Sequence, residues 1–198
     1  MSINLQKGQK IDLTKGGTGL KHIMVGLGWD EAQQSSSGGF LGLFKSKPQD
    51  IDCDASAILC DANGKYMDLV YYRNLQLSNG SIVHQGDNLT GAGDGDDEQI
   101  TVDLANITNN VEKIIFVVNI FDCISRKQDF GLIKNAYIRL VDESTGKEIC
   151  KYNLSDDYVG KTAMVFAEVY KKDGEWKFNA IGQGTNDTSI SELTRRYK

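Results

Sequence analysis

Gly86-Asp87-Asn88-Leu89-Thr90-Gly91-Ala92-Gly93-Asp94-Gly95-Asp96-Asp97-Glu98-Gln99-Ile100-Thr101-Val102-Asp103-Leu104 is the stretch on which the fold turns. Asp94, Asp96 and Glu98 imitate the opening ligands of an EF-hand, but Gln99 stands where that loop needs glycine. Ile100 to Leu104 then alternates apolar and polar residues with the two-residue period of a strand, where an EF-hand would start a helix. Any ion bound here is held by a loop that joins strands.

Short alternating runs recur on both sides of it. Ile3 and Leu5 begin one, Ile11 and Leu13 a second, and Ile23, Val25, Leu27 and Trp29 a third, which ends at Asp30. In Ile51 to Cys60, Asp52, Asp54 and Ser56 share one strand face, and Ile51, Cys53, Ala55, Ala57 and Leu59 share the other. Asn63-Gly64 signals a hairpin whose return strand is Tyr66 to Tyr72. Lys113 to Phe121 is the most apolar run and predicts a central strand buried on both faces. Ala136 to Asp142 with Glu148 to Leu154, and Thr162 to Lys172 with Glu175 to Gly182, predict two hairpins, the second turned by Asp173-Gly174. Ser189-Ile190-Ser191-Glu192 reads as a capping box opening a short helix whose Ile190, Leu193 and Tyr197 dock on a sheet. The expectation is an all-β chain: a two-sheet antiparallel β-sandwich of roughly ten strands with a short C-terminal helix, one domain over 1–198.

Residues 33–49 interrupt this pattern with a Ser- and Gly-rich insertion that holds the only proline, Pro48. Phe40, Leu43 and Phe44 within it either fold back on the body or form an apolar tip for a partner or a membrane surface, with Lys45 and Lys47 beside them.

The chemistry of the opening stretch is that of hard oxygen ligands. Five carboxylates lie between Gly86 and Glu98, accompanied by Asn88 and Thr90. No Lys or Arg occurs from Asn74 to Glu112, so the local sequence offers no counter-charge. Two carboxylates about 4 Å apart repel by roughly 4 kcal/mol at an effective dielectric of about 20. A folded loop that gathers them recruits a cation, protonates or stays open. Ca²⁺ suits such oxygens, and the glycines let backbone carbonyls turn inward. The blander reading is a solvated acidic surface loop. Asp52 and Asp54 become second ligands if they lie near it.

Composition narrows the classes further. A net charge of -5 over 198 residues disfavours binding to a phosphate backbone, so no nucleic acid partner is expected. The N-terminus lacks a signal-peptide apolar run, and no segment approaches the length of a membrane span, so a cytoplasmic protein is expected. Cys53, Cys60, Cys123 and Cys150 form no CxxC pair and read as free thiols.

Four motifs in register resemble the TerD family of bacterial tellurium-resistance and general stress proteins. They are Val25-Gly26-Leu27-Gly28-Trp29-Asp30, Asp52-Cys53-Asp54-Ala55-Ser56-Ala57, Gly86-Asp87-Asn88-Leu89-Thr90-Gly91 through Glu98, and Arg126-Lys127-Gln128-Asp129-Phe130-Gly131. Ala136-Tyr137-Ile138-Arg139 and Gly174-Glu175-Trp176 extend the likeness over nearly the whole chain. The resemblance implies a β-sandwich that binds calcium at one end of its sheets, with two ions fitting so many acids. It carries metal ligation onto Asp87, Asn88, Asp94, Asp96, Asp97 and Glu98, and onto Asp30, Asp52 and Asp54. It also implies a role in resistance to tellurite, oxidative or phage stress, with other products of the same operon as partners. The insertion at 33–49 departs from the compact members.

A binding or scaffold module, not an enzyme, is the expected class. The rival is a Mg²⁺-dependent phosphoryl hydrolase that uses the same acidic cluster with His84 as base. His22 and His84 are the only histidines, and no P-loop or G-x-S-x-G elbow is present. Tellurite reduction by the cysteines is a further possibility that no residue pattern marks.

Overall fold

A computed structural model describes residues 2–15, 19–31, 50–86 and 95–198. The insertion with Phe40, Leu43 and Phe44, and the loop residues Asp87, Asn88 and Asp94, lie outside the described residues.

Two six-stranded sheets face each other. The first runs β1 (Ile3–Leu5), β10 (Lys147–Asn153), β9 (Ile133–Asp142), β3 (His22–Glu31), β7 (Glu98–Asp103) and β6 (Ile82–His84). The second runs β2 (Lys10–Asp12), β12 (Glu175–Thr185), β11 (Ala163–Lys172), β8 (Lys113–Ile120), β4 (Cys53–Cys60) and β5 (Tyr66–Val70). Pairing is antiparallel, as expected, except that the short edge strand β1 lies parallel to β10. The chain reaches β10 from β1 only after crossing the other sheet, so nothing local in the sequence sets that direction.

The strand period decides which residues form the core. In β3, Ile23, Val25, Leu27 and Trp29 turn inward, while Gly26 and Gly28 face out. In β8, Ile114, Phe116, Val118 and Ile120 fill the space between the sheets, and Ile115 and Val117 lie on the opposite face. That second face is not wet. Helix α2 (Ile190–Arg195) covers it, setting Leu193, Ile190 and Tyr197 against Ile58, Cys60, Ile115 and Val117. A strand covered on both faces reads as a continuous apolar run, as β8 does.

The caps and turns follow side-chain chemistry. The Ser189 hydroxyl accepts the Glu192 N–H at 3.3 Å, but Glu192 reaches the N–H and hydroxyl of Thr188 instead of closing the box on Ser189. Asp173 and Gly174 both take positive φ, 56° and 78°, as a type I′ turn requires. The β4–β5 hairpin forms differently from expectation. Asp61 accepts from the N–H groups of Asn63 and Lys65, giving a longer loop, and β5 stops at Val70. A short helix α1 (Cys123–Arg126) and a 3₁₀ turn (Phe130–Leu132) bridge β8 to β9 at one end of the sandwich. Among the described residues, no helix is long and apolar enough to cross a membrane.

Leu193 is fully buried beneath α2. Leu193→Ala is expected to cost about 2–4 kcal/mol, read as a lower urea midpoint at unchanged slope.

Candidate metal centre

Asp96, Asp97 and Glu98 are consecutive, yet their carboxylates go three ways. Glu98 opens β7 with its side chain between the sheets, alongside Ile100 and Val102. One of its oxygens accepts the Ala55 N–H of β4 at 2.5 Å and lies 3.4 Å from His84 Nε2. Gly86 N–H donates to His84 Nδ1 at 3.2 Å, which assigns the remaining ring proton to Nε2. That nitrogen faces both the Ala55 carbonyl, at 3.2 Å, and the Glu98 carboxylate. Neither side chain is exposed, so this couple ties the two sheets together at their acidic end.

Asp97 stays beside the backbone of β3. Its N–H donates to Leu27 O at 2.8 Å, and its carboxylate accepts the Trp29 N–H at 2.7 Å. Burial raises its pKa, and the charges of Asp30 and Asp96 raise it further against the lowering effect of the Trp29 hydrogen bond.

Asp96 turns to the outer face of the first sheet. Arg139 Nε and Nη2 hold its two oxygens at 2.7 and 2.9 Å, and Tyr137 and Gln99 each add a hydrogen bond at 3.0 Å. This corrects the expectation of a loop without counter-charge. The charge absent from the neighbouring sequence arrives through space from β9, because strand pairing sets Arg139 against Gly26 and Tyr137 against Gly28. The carboxylate in turn holds Arg139 further into its charged range, and burial beside Asp96 pushes the Tyr137 phenol up.

The remaining acids surround β4. Asp52 lies 3.5 Å from Arg126 of α1, and the buried Asp54 accepts a long 3.4 Å hydrogen bond from Asn119. Exposed Asp30 accepts from Asn135 at 2.7 Å. Cys53 lies on β4 between two of these acids, Asp52 and Asp54. Its thiol is pushed well above its ordinary range, first by burial and then by the charges of Asp54, Glu98, Asp52 and Asp97. Glu98 bonds to β4 from the inter-sheet side, whereas Asp54 meets Asn119 on the other face of that sheet, the face of Ile58 and Val117, and Asp96 goes elsewhere.

Among the described residues, no three His, Cys, Asp or Glu side chains converge closely enough to hold an ion by themselves. Oxygen ligands nevertheless fit the chemistry of this end. Arg126 lies beside Asp52, His84 beside Glu98, and Asn119 and the Trp29 N–H donate to Asp54 and Asp97.

Sequence reasoning missed Arg139 and Tyr137 as parts of this end, and joined His84 to it only as the base of the rival hydrolase. His84 looked like an ordinary strand residue, and only the fold shows its ring reaching Glu98 and β4. The other two carried a signal: Gly-x-Gly in one strand and Tyr-x-Arg in another, both at the two-residue period.

A family model described as the TerD domain matches residues 1–197. Stress response protein SCP2 of Bacillus subtilis (strain 168) is 53% identical over 201 residues, covering 100% of both chains. Tellurium resistance protein TerD of Serratia marcescens is 45% identical, over 93% of this chain and 91% of its own. A solved structure of a homologue of telluride resistance protein (TerD) from Streptomyces coelicolor A3(2) superimposes with a TM-score of 0.68 at 20% identity, covering 91% of this chain and 99% of that one. Sequence over the whole length and fold agree, and the chain belongs to the TerD family.

Proposed function

We propose that this protein is a calcium-binding stress-response protein that contributes to tellurite resistance as a binding or scaffold module. The observation that carries the reading is that Asp97 and Glu98, at the start of β7, meet β3 and β4 at the end of the sandwich that also holds Asp52 and Asp54, with Asp97 raised in pKa by burial and its acidic neighbours. Asp97 and Glu98, at the start of β7, would hold the ion, with Asp30, Asp52 and Asp54 at the rim. Asp87, Asn88 and Asp94 are the oxygen ligands that the sequence adds. A bound divalent cation would bring positive charge to this acidic end, and all-oxygen ligation at such a site suits Ca²⁺.

Two features favour a module over a catalyst. His84 is the candidate base of the phosphoryl-hydrolase reading, but its ring is buried and engaged with Gly86, Ala55 and Glu98. Reductive chemistry at cysteine needs an accessible thiolate. All four cysteines are free and buried. Burial pushes Cys60 up to about 11 and Cys150 up to about 12, and it raises Cys53 and Cys123 as well. The native protein should therefore leave its thiols unlabelled by a disulfide dye at pH 8 and release four equivalents in denaturant. Rapid labelling of the native protein would reopen a redox role.

Asp97→Asn tests the site from both sides. The wild-type carboxyl holds its proton more tightly folded than unfolded, so its ionisation destabilises the fold. That destabilisation is fully present at neutral pH and fades as pH falls through the raised carboxyl range. Chelator-treated Asp97→Asn should melt above chelator-treated wild type at pH 7, by a margin that shrinks toward pH 3. With calcium the order should reverse, because the variant binds the ion at least tenfold more weakly. A variant stabilised by calcium as much as wild type would remove Asp97 from the ligand set.

A further inference from the structure

We infer that Arg139 is a positioning residue for the calcium site, holding Asp96 on the outer face so that Asp97 and Glu98 are presented to the ion. The inference rests on the calcium reading and adds to it a part of the fold that would touch no ion.

Asp96 is fully enclosed, and its carboxylate accepts from four donors: Arg139 Nε, Arg139 Nη2, Tyr137 and Gln99. The recess is made by missing side chains. A methyl group on Gly26 would overlap the Asp96 carboxylate, and one on Gly28 would lie 2.5 Å from the Tyr137 ring. Gly26 and Gly28 keep ordinary strand φ, so space, not backbone freedom, is what they supply.

The clamp is fastened to the body of the sheet. Arg139 Nη1 lies 3.3 Å from Glu148 of β10, and the Lys151 ammonium sits 3.5 Å from the centre of the Tyr137 ring. Only Asp97 stands between Asp96, fixed on the outside, and Glu98, fixed between the sheets. Residues two apart in a regular strand share a face, so the opposite placement of Asp96 and Glu98 requires the chain to bend at Asp97, just ahead of β7, and anchoring both neighbours holds that bend. The Leu27 carbonyl and Trp29 N–H then receive it.

The geometry also distinguishes Arg from Lys. Two parallel N–H donors meet the two Asp96 oxygens, a fork that an ammonium cannot reproduce. An opposite role would have Arg139 withhold Asp96 from the ion by competing for it. The two roles predict opposite signs, since losing a clamp weakens binding and losing a competitor strengthens it.

The test uses the full chain stripped with chelator, in wild type, Arg139→Lys, Arg139→Gln, Tyr137→Phe, Asp96→Asn and the Asp96→Asn/Arg139→Gln double variant. Calcium affinity is read by calorimetry. Terbium luminescence lifetimes in H₂O and D₂O count the waters on an ion bound in the same place. Arg139→Lys and Arg139→Gln should both weaken calcium at least tenfold at unchanged ion count and raise the water count on terbium. Lysine should not rescue. The double variant should bind no worse than the weaker single variant, because both act through one contact. Tyr137→Phe, which removes a single hydrogen bond, should give a several-fold weakening even if an Arg139 variant does not fold. Calcium bound as tightly or more tightly by Arg139→Gln, or an unaltered affinity and water count in Tyr137→Phe, overturns the clamp. Wild type that binds no calcium overturns the calcium reading and this inference with it, whereas normal wild-type binding with unaltered variants overturns the inference alone.

Discussion

Repulsion between carboxylates is the constraint to which this end of the sandwich answers. Left at contact distance, each pair costs roughly 4 kcal/mol at an effective dielectric of about 20. That is a large share of the 5–15 kcal/mol that typically holds a domain together. The fold meets the constraint by dispersal. A bend just ahead of β7 separates Asp96, Asp97 and Glu98 onto the outer face, the β3 backbone and the inter-sheet space. Each destination brings a donor that the neighbouring sequence does not contain. Glu98 alone of the three reaches across to the second sheet.

The two-sheet architecture therefore positions the site as well as enclosing a core. Glu98 of the first sheet bonds to Ala55 of the second, and His84 stands beside the same backbone. Neither sheet alone could build this joint. Opposite it on the outer face, two glycines in β3 leave room for a carboxylate and a phenol from elsewhere in the chain. In both places a pair of elements far apart in sequence completes what a short motif begins.

Much of this was legible from residue order. The alternation in Ile100 to Leu104 excluded an EF-hand, and the doubly apolar Lys113 to Phe121 run named the central strand that the structure contains. The Asp173-Gly174 turn and the docking face of the last helix followed from turn chemistry and period. The parallel placement of β1 was not legible, because it depends on a partner about 145 positions away that local pattern does not name. Nor was the separate fate of Asp96. Counting charges along the chain finds none to balance it, and only the pairing of β3 with β9 brings Arg139 to the spot. His84 was underread for the same reason, since a lone histidine in a strand says nothing about the sheet facing it.

The account depends on the acids at this end of the sandwich taking up a divalent cation, and an added ion tests that directly. Melting of chelator-stripped wild-type protein should be followed as calcium is raised through several decades of concentration, with bound metal counted at saturation. The account predicts a melting temperature that climbs with the logarithm of calcium once the site fills, as binding to the folded state alone requires, with one or two ions per chain. A melting temperature indifferent to calcium, with no ion retained, would contradict it.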